Sequence, residues 1–123
     1  MTDQEIEQEI QAKGLTAPRV TPDDIEANIL SEYYFTAADG VNTVIQADRC
    51  ASDETIKNMR GALRLLTFCV LVLRNGFTVT GESACASPEN FDAEIGKKIA
   101  RQNAVQKIWP LMGYALRNKL VEA

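Results

Sequence analysis

The strongest constraint on this chain is the stretch Arg64–Gly81, in which two runs rich in β-branched and aromatic residues flank Asn75-Gly76. Such a pair marks a β-hairpin, because both residues tolerate the positive φ that a two-residue type I′ turn needs. That turn sets Arg74 opposite Phe77, Val72 opposite Val79, Val70 opposite Gly81 and Phe68 opposite Ser83, with side chains on one side of the sheet. The other side then carries Leu73 with Thr78, Leu71 with Thr80 and Cys69 with Glu82. The first face is apolar near its middle and needs a helix. The second is half apolar and needs another layer or another chain.

The helix that follows is legible from its punctuation. Ser87 reads as an N-cap and Pro88 as the first helical residue. Ile95, Ile99, Val105, Ile108, Trp109, Met112, Leu116 and Leu120 then keep a helical apolar stripe. Glu94 and Lys98 stand four apart in the stabilising order. Pro110 cannot complete the ladder and predicts a kink or break near Lys107–Trp109. Gly96 costs about 1 kcal/mol relative to alanine in a helix interior, which points to close backbone packing there.

Upstream, Thr21-Pro22-Asp23-Asp24 is a helix start, with a capping hydroxyl, proline at the first position and acids at the positive dipole end. Ile25 and Ile29 continue it, and it is expected to end near Glu32. Tyr33–Thr36 has β propensity and precedes an Asp39-Gly40 turn signal; Val41–Ala47 reads as a possible strand. Ser52 opens a short helix through Met59 that ends at Gly61. Residues 1–20 are polar, broken by Gly14 and Pro18, and read as a flexible tail or else a loosely docked arm, with at most a short helix around Glu5–Ala12. The expectation is therefore an α+β fold: an antiparallel hairpin sheet packed against a C-terminal helical hairpin or kinked long helix, with a short N-terminal helix. Residues 21–123 form a single domain, and 33–46 are expected to add a strand because a lone hairpin is marginal.

Composition narrows the function classes. At 123 residues, 46% apolar and 24% charged, the chain suits one globular domain with a modest core. No run of eighteen apolar residues exists, and the acidic start lacks the basic and apolar regions of a signal peptide. Cys50, Cys69 and Cys85 are odd in number and without metal spacing, which suits a reducing cytoplasm. The net charge of −4 gives no overall attraction for DNA or RNA. There is no histidine, so Ser-His-Asp and Cys-His catalysis and His metal ligation are out of reach. Gly81-Glu82-Ser83-Ala84-Cys85 lacks the closing glycine of a nucleophile elbow. Ser83 reads as a strand-end hydrogen-bonder, and Cys69 and Cys85 as small buried hydrophobes. No catalytic residue, metal site or cofactor is expected.

The opening Ser87–Phe91 has the free amides of an anion site, with Lys97 and Arg101 further along the helix. The same cations equally suit a solvated helix face, Arg74 an exposed hairpin tip and Phe91 a core position. Trp109 reads as core or interface.

Taken together, Leu73-Arg-Asn-Gly-Phe-Thr-Val-Thr-Gly-Glu-Ser-Ala-Cys85, Ser87-Pro-Glu-Asn-Phe-Asp92, Glu94-Ile-Gly96, Ala104, Ile108-Trp109 and Gly113-Tyr114 resemble a family of small tailed-phage proteins. It is the family of phage gene product forty-nine and gene sixty-six, and the chain is similar to anti-Thoeris protein one. The resemblance covers about residues 21–120. It implies a non-enzymatic sponge in the host cell cytoplasm that sequesters cyclic nucleotide immune signals: cyclic ADP-ribose isomers, or the cyclic oligonucleotides of CBASS systems. It also implies a homodimer or higher homo-oligomer with ligands at subunit interfaces, and no membrane partner. The positions matching the shared motif are Arg74, Phe77, Asn90 and Phe91, with Lys97, Arg101 and Lys107 as cation candidates. A small acidic phage protein that binds a host protein, or a structural phage protein, is the alternative. The resemblance carries an expectation that Arg101→Ala and Asn90→Ala lose ligand while staying folded.

Overall fold

Strand Leu66–Leu73 (β2) lies at the centre of a three-stranded antiparallel sheet, paired on one side with Ile29–Thr36 (β1) and on the other with Thr78–Ala84 (β3). These come from a computed structural model that describes residues 1–48 and 51–122; Cys50 falls outside them. The helices are Asp3–Ala12 (α1), Pro22–Asn28 (α2), Ala37–Asp48 (α3), Asp53–Arg60 (α4) and Ala93–Glu122 (α5). The architecture is the expected α+β sheet with a long C-terminal helix and a short helix before the first strand.

The hairpin forms, but its register differs by one residue. Val72 pairs with Thr78, Leu71 with Val79, Val70 with Thr80, Cys69 with Gly81 and Phe68 with Glu82. The loop is three residues long, because the Leu73 amide donates to the Phe77 carbonyl at 2.8 Å and the Gly76 amide to the Leu73 carbonyl at 2.9 Å. Gly76 takes φ +87°, the left-handed last position that such loops require. A one-residue slip exchanges the faces of β2. Cys69, Leu71 and Leu73 therefore join Val79 in the core, and Phe68, Val70 and Val72 lie on the opposite face, only half-buried. The expectation that the Phe68/Val70/Val72 side meets the helix is thus corrected.

α5 packs on the Leu71 side through its small residues. Gly96, Ala100, Ala104, Val105 and Ile108 are buried, whereas Ile95 and Ile99 of the expected stripe are 54% and 43% exposed. The reason is Gly81: a Cβ there would overlap the backbone of Ala100 and Ala104, so strand and helix are in direct backbone contact. Large side chains have no room in that seam. Asn103 Nδ2 donates to the Glu82 carbonyl at 2.8 Å, so the helix also satisfies part of the β3 edge. The helix start differs from expectation too. Ser87 makes no side-chain cap; Pro88–Asn90 is one 3₁₀ turn, and Asp92 Oδ1 accepts from the amides of Glu94 and Ile95 at 2.9 and 3.1 Å. The thirty residues of α5 continue through Pro110. They span about 45 Å, roughly twice the length of an eight-residue strand, so the C-terminal part extends past the sheet.

Capping boxes order the first half of the chain. Thr21 and Asp24 exchange side-chain and backbone hydrogen bonds around Pro22, and α2 ends at Asn28 rather than Glu32 because β1 starts there. The same box joins Thr36 and Asp39. It starts α3 where a turn and the strand Val41–Ala47 were expected: Asp39-Gly40 is the first turn of a helix. Ser52 caps α4 as anticipated, and α4 stops at Gly61. Residues 1–20, expected as a flexible tail, contain α1 with its own Thr2/Glu5 capping box.

The register and the seam make two predictions. Val72→Asp, on the open face, should leave a soluble, folded protein, whereas Leu71→Asp should bury an unpaired charge and abolish folding. Gly81→Ala should cost about 3 kcal/mol or more by forcing helix and strand apart, measured by urea denaturation. Equal midpoints for Gly81→Ala and the parent would refute the seam.

Candidate functional site

The residues singled out by the sequence do not converge within one chain. Arg74 and Phe77 stand at the hairpin tip, while Asn90 and the half-buried Phe91 follow the other end of β3, where Gly96 rests against Thr67. Seven strand residues separate the two groups, roughly 20 Å. Lys97 pairs with Glu94 at 3.7 Å and lies 6.0 Å from the Tyr34 ring centroid. Lys107 is exposed along α5. The amides at the start of α5 already face the Asp92 carboxylate.

Arg101 is a tie between elements. Its Nη1 and Nη2 donate to both oxygens of Glu26 on α2 at 3.1 and 2.8 Å, and its Nε donates to Glu32 on β1 at 2.9 Å. The two carboxylates hold the guanidinium proton well above the ordinary arginine range. In return, the Arg101 hydrogen bonds pull the Glu26 carboxyl below its ordinary value. Behind this bridge, burial above all pushes the Tyr34 phenol up to about 12, and burial likewise raises the fully enclosed Cys69 thiol. The thiol is held protonated at neutral pH, a poor nucleophile. Arg101→Ala would first remove a bridge among α2, β1 and α5.

The concavity best suited to an organic anion lies on the other side of α2. A groove of about 450 Å³ runs between α2 and the extended part of α5. Its floor is Val20, Met112 and Leu116, and its charged lining is Arg19, Lys119 and the one acid Asp24. Ala27 and Asn28 form the wall nearest the hairpin tip. Arg74 grips that wall: its amide donates to the Asn28 carbonyl at 3.0 Å and its Nε to the Ala27 carbonyl at 2.6 Å, closing the C-terminus of α2. Of the expected site residues, Arg74 contacts two residues of this wall without lining the groove itself. Arg19, Lys119, Met112 and Leu116 of the groove were not singled out as a site by the sequence, because no local motif links positions so distant in sequence.

A second surface is the sheet face away from α5. Tyr33 and Phe35 are 58% and 40% exposed there, and Phe35 stacks on Phe68 with centroids 5.4 Å apart. Phe68, Val70 and Val72 complete an apolar face.

The Glu26–Arg101 pair gives a pH prediction. A carboxyl lowered in the folded state stabilises above its ordinary value of 4.5, and that contribution disappears as pH falls through the depressed value. Glu26→Gln should therefore lower stability at pH 7 by about 1 kcal/mol or less, since the pair is half exposed. The deficit should shrink below pH 4. A deficit independent of pH, in urea melts from pH 3 to 7, would contradict the bridge.

No helix among the described residues is long and apolar enough to cross a membrane. Residues 20–120 match the profile described as the Phage protein (N4 Gp49/phage Sf6 gene 66) family, so α1 lies ahead of the matched stretch. No curated protein and no solved structure matches the chain. With about four-fifths of its length inside that profile, the chain belongs to the Phage protein (N4 Gp49/phage Sf6 gene 66) family.

Proposed function

We propose that this phage protein binds a cyclic nucleotide immune signal, a cyclic ADP-ribose isomer or a cyclic oligonucleotide, and holds it uncleaved in the host cytoplasm. The observation that carries the reading is the groove between α2 and α5. Its volume of about 450 Å³ lies within the roughly 300–1,000 Å³ of small-molecule sites. It combines an apolar floor for a base or ribose with Arg19 and Lys119 for phosphate, and Arg74 beside its wall. The depression around Arg101, which also holds Lys98, suits an anion less well, because Glu26 and Asp3 both line it and Glu32 also holds the guanidinium, whereas the groove carries one acid, Asp24.

A sponge competes for a scarce signal, which needs nanomolar affinity, about −12 kcal/mol. One exposed ion pair supplies about 0–1 kcal/mol. Charge-assisted hydrogen bonds to phosphate supply about 1.5–3 kcal/mol each, so several must act together with stacking in a desolvated site. Phe77 at the hairpin tip, or an aromatic residue of a second copy, is the stacking candidate. The open Tyr33/Phe35 face fits homo-oligomer formation. The same face favours a second reading, in which the protein binds a host protein.

Lys119→Ala and Arg74→Ala should each weaken binding tenfold or more, about 1.4 kcal/mol, in calorimetry against a panel of cyclic ADP-ribose isomers and cyclic oligonucleotides. Lys119→Ala should also keep the parental melting temperature. Intact ligand released from the denatured complex separates sequestration from turnover. Absence of binding across the panel would refute the reading, and capture of one host protein that is lost in Tyr33→Ala/Phe35→Ala would favour the second.

A further inference from the structure

Helix α1 is attached to the body of the protein in an unusual way. It contributes no residue to the core cluster, and Ile6 is 44% exposed. Beneath it remains a cavity of about 220 Å³ lined by Ile6, Ile10, Val20, Pro22 and Trp109, among others. Its hydrogen-bonded ties run to Arg19, Gln106 and Trp109. Glu7, only 7% exposed, accepts from Arg19 Nη1 at 2.7 Å and turns its second oxygen to the same group. Asp3 Oδ2 accepts from the indole Nε1 of Trp109 at 3.2 Å and from Gln106 at 3.3 Å. Asp3, Glu5, Glu7 and Glu9 make the ten-residue helix acidic.

Arg19 lies between two spaces. It lines the cavity under α1 and also the groove between α2 and α5. Glu7 takes its Nη1, and Asp24 lines the groove as well, so a phosphate entering there brings a further negative charge onto the same guanidinium and competes with the enclosed Glu7 carboxylate for it. We propose that α1 is a displaceable acidic latch whose Glu7 competes with an anionic ligand for Arg19; this rests on the sequestration reading given above. Ligand phosphate takes over Arg19, the buried carboxylate loses its partner, and α1 undocks so that Glu7 reaches water. A ten-residue helix is marginal on its own in water, so the undocked segment melts. The core cluster stays intact, because α1 shares none of it. The latch sets a threshold: weak anions leave it closed, and a ligand that also fills the apolar floor opens it.

The chain contains one tryptophan, Trp109, which makes the latch directly observable. The test uses the full-length protein and its Asp3→Ala/Glu7→Ala variant, in which alanine preserves helix propensity. Amide exchange over residues 3–12 should be at least tenfold faster in the variant, with β2 amides unchanged and Trp109 emission shifted. Unchanged exchange over α1 would overturn the latch. Calorimetry with cyclic ADP-ribose as probe should then give at least tenfold tighter binding by the variant. Equal or weaker binding by the variant overturns the competition while leaving sequestration standing. Binding by neither protein overturns the competition and counts against sequestration, and in that case the exchange result still decides whether the latch exists.

Discussion

The fold depends on one backbone contact, Gly81 of β3 against Ala100 and Ala104 of α5. Because no side chain intervenes, the helix lies lower on the sheet than ordinary packing permits. That closeness explains the row of small residues at Gly96, Ala100 and Ala104, and it leaves Val105 and Ile108 to meet Leu71, Leu73 and Val79. It also determines which face of β2 is inside. β3 alternates cleanly, with Val79 and Gly81 against Thr78, Thr80 and Glu82, so its buried side is fixed. β2 is apolar on both sides and takes whichever face its partner dictates.

Cations act here as fasteners before they act as ligands' partners. Arg101 ties α2 and β1 to α5, Arg74 closes the end of α2 against the hairpin tip, and Arg19 holds α1. Each joins elements remote in sequence, which a chain with a thin core needs. Among the described residues, Arg19, Arg64, Arg74 and Arg101 already have carboxylate or carbonyl partners. Under the sequestration proposed above, a phosphate-bearing ligand would compete with these partners for Arg19 and Arg74.

The parts of the fold written in short-range chemistry were legible from the sequence: the Thr21/Asp24 start of α2, the Ser52 cap, the hairpin and the long final helix. The failures have local physical causes. Asn75-Gly76 suits two loop lengths, and the three-residue form shifts every pair by one. Thr36-x-x-Asp39 repeats the Thr21-x-x-Asp24 capping pattern, yet Asp39-Gly40 also resembles a turn, and β-branched Val41, Thr43, Val44 and Ile45 resemble a strand. The groove was less legible than the fold. Local words selected Asn90, Phe91 and Lys97, whereas the groove is assembled from residues 19–28 and 112–119, nearly a hundred positions apart. Only the docking of α2 on α5 joins them.

The excess length of α5 over the sheet has a thermodynamic consequence. The helix is anchored by buried residues as far as Ile108 and by Met112 packed on the core, but Leu116 of the groove floor and the wall at Ala115 and Lys119 lie beyond that anchor. Pro110 lies just past Ile108 and lacks the amide that would bind the carbonyl four residues earlier. The wall therefore belongs to the least cooperative portion of the helix, where local opening requires little free energy. A ligand seated there restricts backbone and side-chain freedom that the empty protein retains, so association carries an entropic penalty opposing the gain in contacts. Its enthalpy should consequently exceed what the affinity alone suggests.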